Sequence, residues 1–192
     1  MVRNMEMRNI LKNLITLTGA SKKDFEVLRE FSPILEEWEK DVVKIFYDTL
    51  FEYEPTAKVF QKNERPAREV TLQNWWKQLL SGEYDLAFWE HQWLVGLVHV
   101  KREVRNHYML GMISRLQTYV LDRCFSDFEP VTARMVYGAF KRVTDVIGGL
   151  IAEGYFTKYL EAVESAGIKR TVLDRMVALE VDKMLREARK TT

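Results

Sequence analysis

The chain has 192 residues, of which 47% are hydrophobic and 12% aromatic, and this length and composition suit one domain with a core of ordinary size. Its 29 Lys and Arg nearly balance its 28 Asp and Glu, so there is no basic field to attract nucleic acid, and we expect no nucleic-acid partner. The single cysteine, Cys124, excludes an internal disulfide and a cysteine-rich zinc site, and it favours a cytoplasmic location. The apolar runs are too short for a membrane span, so we expect no membrane association.

Apolar residues recur three and four apart along most of the chain, with almost no alternation of period two, and this pattern predicts an all-α fold. Ser21 is a typical N-cap, Pro33 and Pro66 suit the first turn of a helix, and Gly82 suits a C-cap. In chain order, the pattern predicts helices over 4–17, from Ser21 to Phe31, from Pro33 to about Glu54, over a short turn capped by Thr56 and reaching Phe60, from Pro66 to Ser81, from Tyr84 to about Arg102, and over 107–124, 131–164 and 168–189.

Each of the two long predicted helices, 107–124 and 131–164, carries an apolar stripe. Together the stripes exceed what a small domain readily covers, and glycines at 148, 149 and 154 permit close approach of another helix. We therefore expect a homodimer through residues 107–124 and 131–164. The stripes comprise Tyr108, Met112, Ile113, Leu116 and Val120 in the first helix, and Val136, Ala139, Val143, Val146, Leu150 and Tyr155 in the second.

His99 is the one histidine that lies within an apolar run, LVGLVHV. A lone histidine on an apolar helix face is most often a core residue, and that reading stays open. A zinc site would need companions three or four residues away, where only Glu103 qualifies, and no Gly-x-Ser-x-Gly motif or partner for Cys124 indicates a hydrolase. A single imidazole in an all-helical protein has another use, as the axial ligand of haem iron.

Three segments then follow one another at a characteristic spacing: KIFYDTLFEYEPTAKVF, TLQNWWKQLLSGEYD, and VGLVHV with Tyr108 nine residues beyond the histidine and MLG after it. Over about residues 21–160 this order resembles the sensor-globin family, which comprises the haem domains of globin-coupled sensors and the related protoglobins. The resemblance implies a globin fold with an extra N-terminal helix and a C-terminal helical extension. It also implies that haem b, with its iron, is the cofactor, and that the protein binds dioxygen, carbon monoxide and nitric oxide, most simply as a gas sensor.

The resemblance assigns roles residue by residue. His99, in the Gly-x-x-His segment that begins at Gly96, corresponds to the iron ligand, Tyr47 to the tyrosine on the gas-binding side, and Thr71 to a threonine that assists it. A hydroxyl donor such as Tyr47 favours dioxygen, which becomes partly negative on binding, over carbon monoxide. Tyr47 also fits an ordinary core tyrosine, and Thr71 fits a hydroxyl bonded to its own helix. The apolar walls expected around haem, which equally suit a plain helical core, are Phe46, Phe60, Val70 and Leu97.

The chain departs from the family after His99. The family usually has a glycine and then a proline there, whereas this chain has VKREVRN, which leaves the turn after the histidine open. No output module follows residue 164, so we expect a haem domain over 1–166 and an amphipathic helix or the start of a linker over 167–192. Two alternatives remain: a haem enzyme that removes nitric oxide or peroxide, and a haem-free globin-like dimerisation module.

Overall fold

The computed structural model describes residues 2–190, with side chains from residue 5 onward. These residues form helices and contain no strand, so the all-α prediction is confirmed. The helices are α1 Val2–Thr18, α2 Lys22–Glu30, α3 Ser32–Leu35, α4 Glu39–Glu52, α5 Glu54–Ala57, α6 Arg65–Leu80, α7 Leu86–Lys101, α8 Asn106–Asp127, α9 Pro130–Ser165 and α10 Arg170–Ala188, with a 3-10 turn at Glu36–Trp38 between α3 and α4.

The predicted ends of several helices are confirmed. Ser21 precedes α2 and donates its backbone N–H to the Asp24 carboxylate at 2.8 Å, which is half of a capping box. Gly82 follows α6 with φ +66°, a left-handed conformation that glycine adopts without strain. A Cβ at Gly82 would also lie 2.5 Å from the Phe25 carbonyl oxygen. The turn therefore requires glycine both for its backbone conformation and for the lack of space.

The sequence predicts one helix from Pro33 to about Glu54, and this prediction is wrong. The 3-10 turn divides the segment. Leu35 and Trp38 are three residues apart and are both fully buried, and a 3-10 turn places residues at that spacing on one face. Thr56 does not cap a turn but lies inside α5, where its hydroxyl donates to the carbonyl oxygens of Leu50 at 2.6 Å and Tyr53 at 2.9 Å. Tertiary burial therefore overrides the simple helical pattern in this part of the chain.

The core lies where α4 packs against α6 and α8, with α2 against α6 and α1 against α7. Its largest fully buried side chains are aromatic: Trp38, Trp76, Phe88 and Phe140. Burial of such rings contributes about 2–3 kcal/mol each and is the main source of the stability of this bundle.

The apolar stripes of α8 and α9 belong to this core. On α9, Val136, Ala139, Val143, Val146 and Leu150 are fully buried, and on α8 Met112, Leu116 and Val120 are buried. The expectation that these stripes are too long for one chain to cover is therefore wrong, because most of their side chains are buried within the chain itself. Tyr108, Ile113 and Tyr155 are half-buried.

The glycines of α9 show how this covering works. A Cβ at Gly148 would lie 2.8 Å from Ile113 of α8, and one at Gly149 would lie 2.5 Å from Leu14 of α1. A Cβ at Gly154 would lie 2.7 Å from the Trp93 carbonyl oxygen of α7. The close approach that these glycines permit is thus to other helices of the same chain.

The described residues divide into two compact units, the first ending at Tyr155 and the second beginning at Phe156. The second unit contains the end of α9 and all of α10. None of the described residues of α10 is buried, and its apolar side chains, such as Met176 and Leu179, are exposed. Within the described part of the chain, no helix combines the length and hydropathy needed to span a bilayer.

Candidate functional site

The helix that carries His99, α7, is held against α9 at a glycine. Its N-terminus is capped by Asp85, whose carboxylate accepts the Phe88 N–H at 2.8 Å. Gly96 is buried, and a Cβ there would collide with the Ile151 carbonyl oxygen of α9 and lie 3.1 Å from the Tyr155 nitrogen. The glycine of the Gly-x-x-His segment is therefore needed for helix packing, and it sets the position of the histidine one turn later.

His99 itself is half-buried, and its Nδ1 atom is buried without a hydrogen-bond partner among the described residues. Burial lowers the pKa of the imidazole, so the ring is neutral at pH 7 and keeps a free lone pair. A buried polar atom without a partner costs free energy unless something binds it. The described residues contain no group of three or more His, Cys, Asp and Glu side chains suited to a metal ion, so His99 fits a metal centre that needs only one ligand from the protein.

Directly after His99, α7 ends in a Schellman turn. The Val104 N–H donates to the His99 carbonyl oxygen at 2.9 Å, and the Glu103 N–H donates to the Val100 carbonyl oxygen at 3.1 Å. Glu103 has φ +58° and occupies the left-handed position that glycine normally fills. The helix thus ends at Lys101, although neither glycine nor proline lies in the turn.

Tyr47 lies on α4 inside a cluster of aromatic rings. Its ring centroid is 5.2 Å from that of Phe46, 6.2 Å from that of Phe60 and 6.4 Å from that of Phe51. The structure therefore brings together three of the residues named from the sequence. Phe51 was not named, although it follows Tyr47 by four residues, a spacing that places both on one face of a helix, and it stacks on Phe60 at 4.7 Å.

The hydroxyl of Tyr47 donates to the Arg68 carbonyl oxygen of α6 at 2.7 Å. Burial raises the pKa of this hydroxyl to about 12, so it stays protonated and remains a donor at neutral pH. Tyr47 therefore combines an apolar, ring-lined environment with one hydrogen-bond donor.

Helices α6 and α7 are joined by polar contacts at two places. The Trp75 indole N–H of α6 donates to Oε1 of the fully buried Gln92 of α7 at 3.2 Å. Glu64, just before α6, pairs with Arg102, just after α7, at 2.7 Å. Because the early part of α6 meets the late part of α7, the two helices are antiparallel.

The stretch of α6 and α7 between these two contacts holds the remaining predicted site residues. Val70 of α6, together with Leu94 and Val98 of α7, is between 48% and 52% exposed, which is high for apolar side chains in the middle of helices. Leu97 is half-buried beside them in the sequence. These exposed apolar side chains are available to contact an apolar ligand.

Thr71 lies on the same stretch but is not joined to Tyr47. Its side chain is exposed, and its hydroxyl donates to the Ala67 carbonyl oxygen at 3.0 Å, one turn earlier in its own helix. The bond of the Tyr47 hydroxyl goes instead to Arg68. In this structure Thr71 therefore adopts the backbone-bonded alternative that its sequence position allows.

Comparison with known proteins agrees with this architecture. The structure is similar to the globin domain of the Geobacter sulfurreducens globin-coupled sensor, with a TM-score of 0.70 over 75% of this chain and 96% of that one at 20% identity, which confirms the globin fold. In sequence, 102 residues are 24% identical to an uncharacterized protein of Methanocaldococcus jannaschii; the match covers 52% of this chain and 54% of that protein, so the chain spans about half the length of this relative. The Protoglobin family model matches residues 8–161, which is most of the chain, and the chain therefore belongs to the protoglobin family.

Proposed function

We propose that this protein binds haem b and, through its iron, reversibly binds dioxygen, carbon monoxide and nitric oxide as a gas sensor. One observation carries the proposal: His99 presents a neutral imidazole with a buried nitrogen that has no partner among the described residues. An ordinary core histidine would have its buried nitrogen hydrogen-bonded. His99 would hold haem iron through its imidazole without any further protein ligand.

Haem b, when bound, supplies a ferrous iron with one coordination position for a gas molecule. The residues of the chain provide the surroundings of that position. Tyr47 is the donor, and it can donate to a gas only when its hydroxyl turns away from the Arg68 carbonyl oxygen. Such a donor stabilises dioxygen, which carries partial negative charge, more than carbon monoxide.

The apolar walls of the proposed pocket come from two places. Phe46 and Phe60, with Phe51, pack around Tyr47, which is buried. Val70 and Leu97 lie on the stretch of α6 and α7 that carries exposed apolar side chains. Thr71 is proposed as a contact on the α6 side, where its side chain is exposed.

The sensor role includes a homodimer through residues 107–124 and 131–164. Because the apolar stripes of these helices are buried, the contact has to use their exposed apolar side chains, which in the first unit include Leu110, Val131 and Met135. Sedimentation velocity of wild type and Leu110→Glu tests this part separately. A dimer that dissociates in the variant supports the proposal, and a monomeric wild type overturns it.

Haem titration of the full chain tests the central proposal. We expect one haem per chain, a sharp Soret band, and loss or gross alteration of that band in His99→Ala. His91→Ala and His107→Ala are matched controls, because both histidines are exposed, and they should bind haem as wild type does. Tyr47→Phe should still bind haem but release dioxygen faster.

Other outcomes select the alternatives. A wild type that takes up no haem, or an unchanged spectrum in His99→Ala, makes His99 a core histidine and favours a dimerisation module. Sustained consumption of nitric oxide or peroxide with an added reductant favours a haem enzyme instead.

A further inference from the structure

Glu64 is the point where the end of α7 and the beginning of α6 meet. Its side chain is 10% exposed and is contacted from three directions. Nη1 of Arg102 lies 2.7 Å from Oε1 and donates a hydrogen bond to Oε2 at 2.9 Å. Nε of Arg68 lies 3.3 Å from Oε1, an ion-pair distance without a hydrogen bond. The Gln61 N–H donates to Oε2 at 2.9 Å. The hydrogen bond from Arg102 is the main reason why the pKa of this carboxyl is lowered, and Glu64 is therefore ionised at neutral pH.

The backbone of each arginine is also hydrogen-bonded to a residue of the proposed gas site. On the α7 side, the Arg102 backbone N–H donates to the His99 carbonyl oxygen at 3.2 Å. On the α6 side, the Arg68 carbonyl oxygen accepts the Tyr47 hydroxyl at 2.7 Å. One carboxylate thus lies between the residue proposed to hold iron and the residue proposed to meet the gas, with a hydrogen-bonded arginine on one side and an arginine at ion-pair distance on the other.

We propose that Glu64 is a positioning residue that couples His99 to Tyr47, through Arg102 on one side and Arg68 on the other. The inference rests on the proposed function, because the two ends of the connection matter only if they face the same haem. A movement of His99 that shifts the end of α7 pulls on Glu64 and therefore on the first turn of α6. The Arg68 carbonyl that holds the Tyr47 hydroxyl lies in that turn, so a change on one side reaches the other.

The chain contains a matched control for a general loss of stability. Asp24 of α2 pairs with Arg142 of α9, with the carboxylate 6% and the arginine 39% exposed; the values for Glu64 and Arg102 are 10% and 31%. Both pairs join separate elements, but Asp24 and Arg142 contact each other, Ser21 and the glycines at 19 and 138, which lie away from α4, α6 and α7 in the sequence. Arg142→Gln should therefore cost similar stability and leave the proposed site unchanged.

The first experiment uses the full chain reconstituted with haem. In Glu64→Gln we expect a shifted iron–histidine band in the resonance Raman spectrum of the ferrous protein. We also expect the dioxygen dissociation rate to change by at least about twofold, the lower end of the range for coupling residues. In a Tyr47→Phe background the same substitution should change the dissociation rate much less, because the coupled hydroxyl is gone.

Conservative variants separate positioning from simple structural damage. Arg102→Lys keeps a cation beside Glu64, so its spectrum should stay close to that of wild type. Arg102→Gln removes the cation, so its spectrum should match that of Glu64→Gln. A Glu64→Gln spectrum identical to wild type, or equal dissociation effects with and without Tyr47, would overturn the coupling. An Arg142→Gln variant that shifts the spectrum equally would overturn it as well.

The second experiment needs no haem and keeps failure of the coupling distinct from failure of haem binding. Amide hydrogen exchange of the haem-free chain reports on the Arg102 and Val104 amides at the end of α7 and on the Arg68 amide, which donates to the Glu64 carbonyl oxygen at 3.2 Å. Glu64→Gln should accelerate exchange at both ends together, and Arg142→Gln should not. Acceleration at one end only, or at neither, overturns the coupling whether or not the chain binds haem.

Discussion

Replacing Glu103 with glycine should stabilise the protein. Glu103 has φ +58° at the left-handed position of the Schellman turn that ends α7, and its side chain is exposed. The turn is closed by the bonds from Val104 to His99 and from Glu103 to Val100, and both use backbone atoms that glycine retains. The substitution therefore removes the conformational strain of a side chain without removing a bond of the turn.

The magnitude follows from two opposing terms. A left-handed conformation costs a residue with a Cβ about 1–2 kcal/mol. Glycine has more backbone freedom than glutamate in the unfolded chain, and the loss of this freedom on folding offsets about 0.5–1 kcal/mol of the relieved strain. The net gain in the free energy of unfolding is therefore about 0.5–1 kcal/mol, or roughly 1–4 °C in Tm for a chain of this size.

Urea unfolding of the haem-free chain measures this gain, with Asn63→Gly as the matched control. Asn63 has φ +62°, but asparagine tolerates the left-handed region better than glutamate, so its replacement should help less. Glu103→Gly that is no more stable than wild type, or a larger gain from Asn63→Gly, would refute the reasoning about the turn.

Four further substitutions test the packing. Gly82→Ala should lower the free energy of unfolding by more than about 2 kcal/mol, because the added methyl group would both strain the left-handed backbone and contact an α2 carbonyl. Gly167 has φ +89° but open space around it, so Gly167→Ala should lower the free energy of unfolding by only about 1 kcal/mol. Urea unfolding compares the two variants directly. Gly96→Ala should lower the free energy of unfolding by about 1–3 kcal/mol, because the added methyl group overpacks α7 against α9. Amide exchange should be faster along the whole of α7, whereas a local effect would be confined to the residues next to position 96. Tyr47→Phe should cost the haem-free chain about 1 kcal/mol, the net value of its bond to the α6 carbonyl, and a variant as stable as wild type in urea would show that this bond is not formed in solution.

Local features of the fold were readable from the sequence because their causes are local. Ser21 marks a helix start and Gly82 a helix end, and the apolar period of three and four residues predicts helices throughout. The 3-10 turn before α4 was missed because it depends on burying Leu35 and Trp38 together, a tertiary effect that a helical pattern does not contain.

The stripe of α9 illustrates a different difficulty. Periodicity shows that Val143 and Leu150 need an apolar partner, but it does not show whether that partner is another helix of the chain or a second copy. The glycines had the same ambiguity, and the structure resolves it in favour of α1, α7 and α8.

The candidate site divides along the same line. The sequence pointed to His99 and to the cluster of Tyr47, Phe46 and Phe60, since these lie in recognisable segments. The pairing of Glu64 with Arg102 joins residues 38 positions apart, and no pattern in either segment predicts it. The turn after His99 was unpredictable for a related reason, because Glu103 takes a conformation that glutamate rarely adopts.

Reversible gas binding by the reduced, haem-reconstituted chain is the most direct test of the proposed function. The absorption spectrum is recorded while the solution is cycled between dioxygen and argon. The account predicts two interconverting spectra over repeated cycles in wild type, and no such cycle in His99→Ala. A chain that binds no haem, or whose spectrum does not respond to dioxygen, would contradict it.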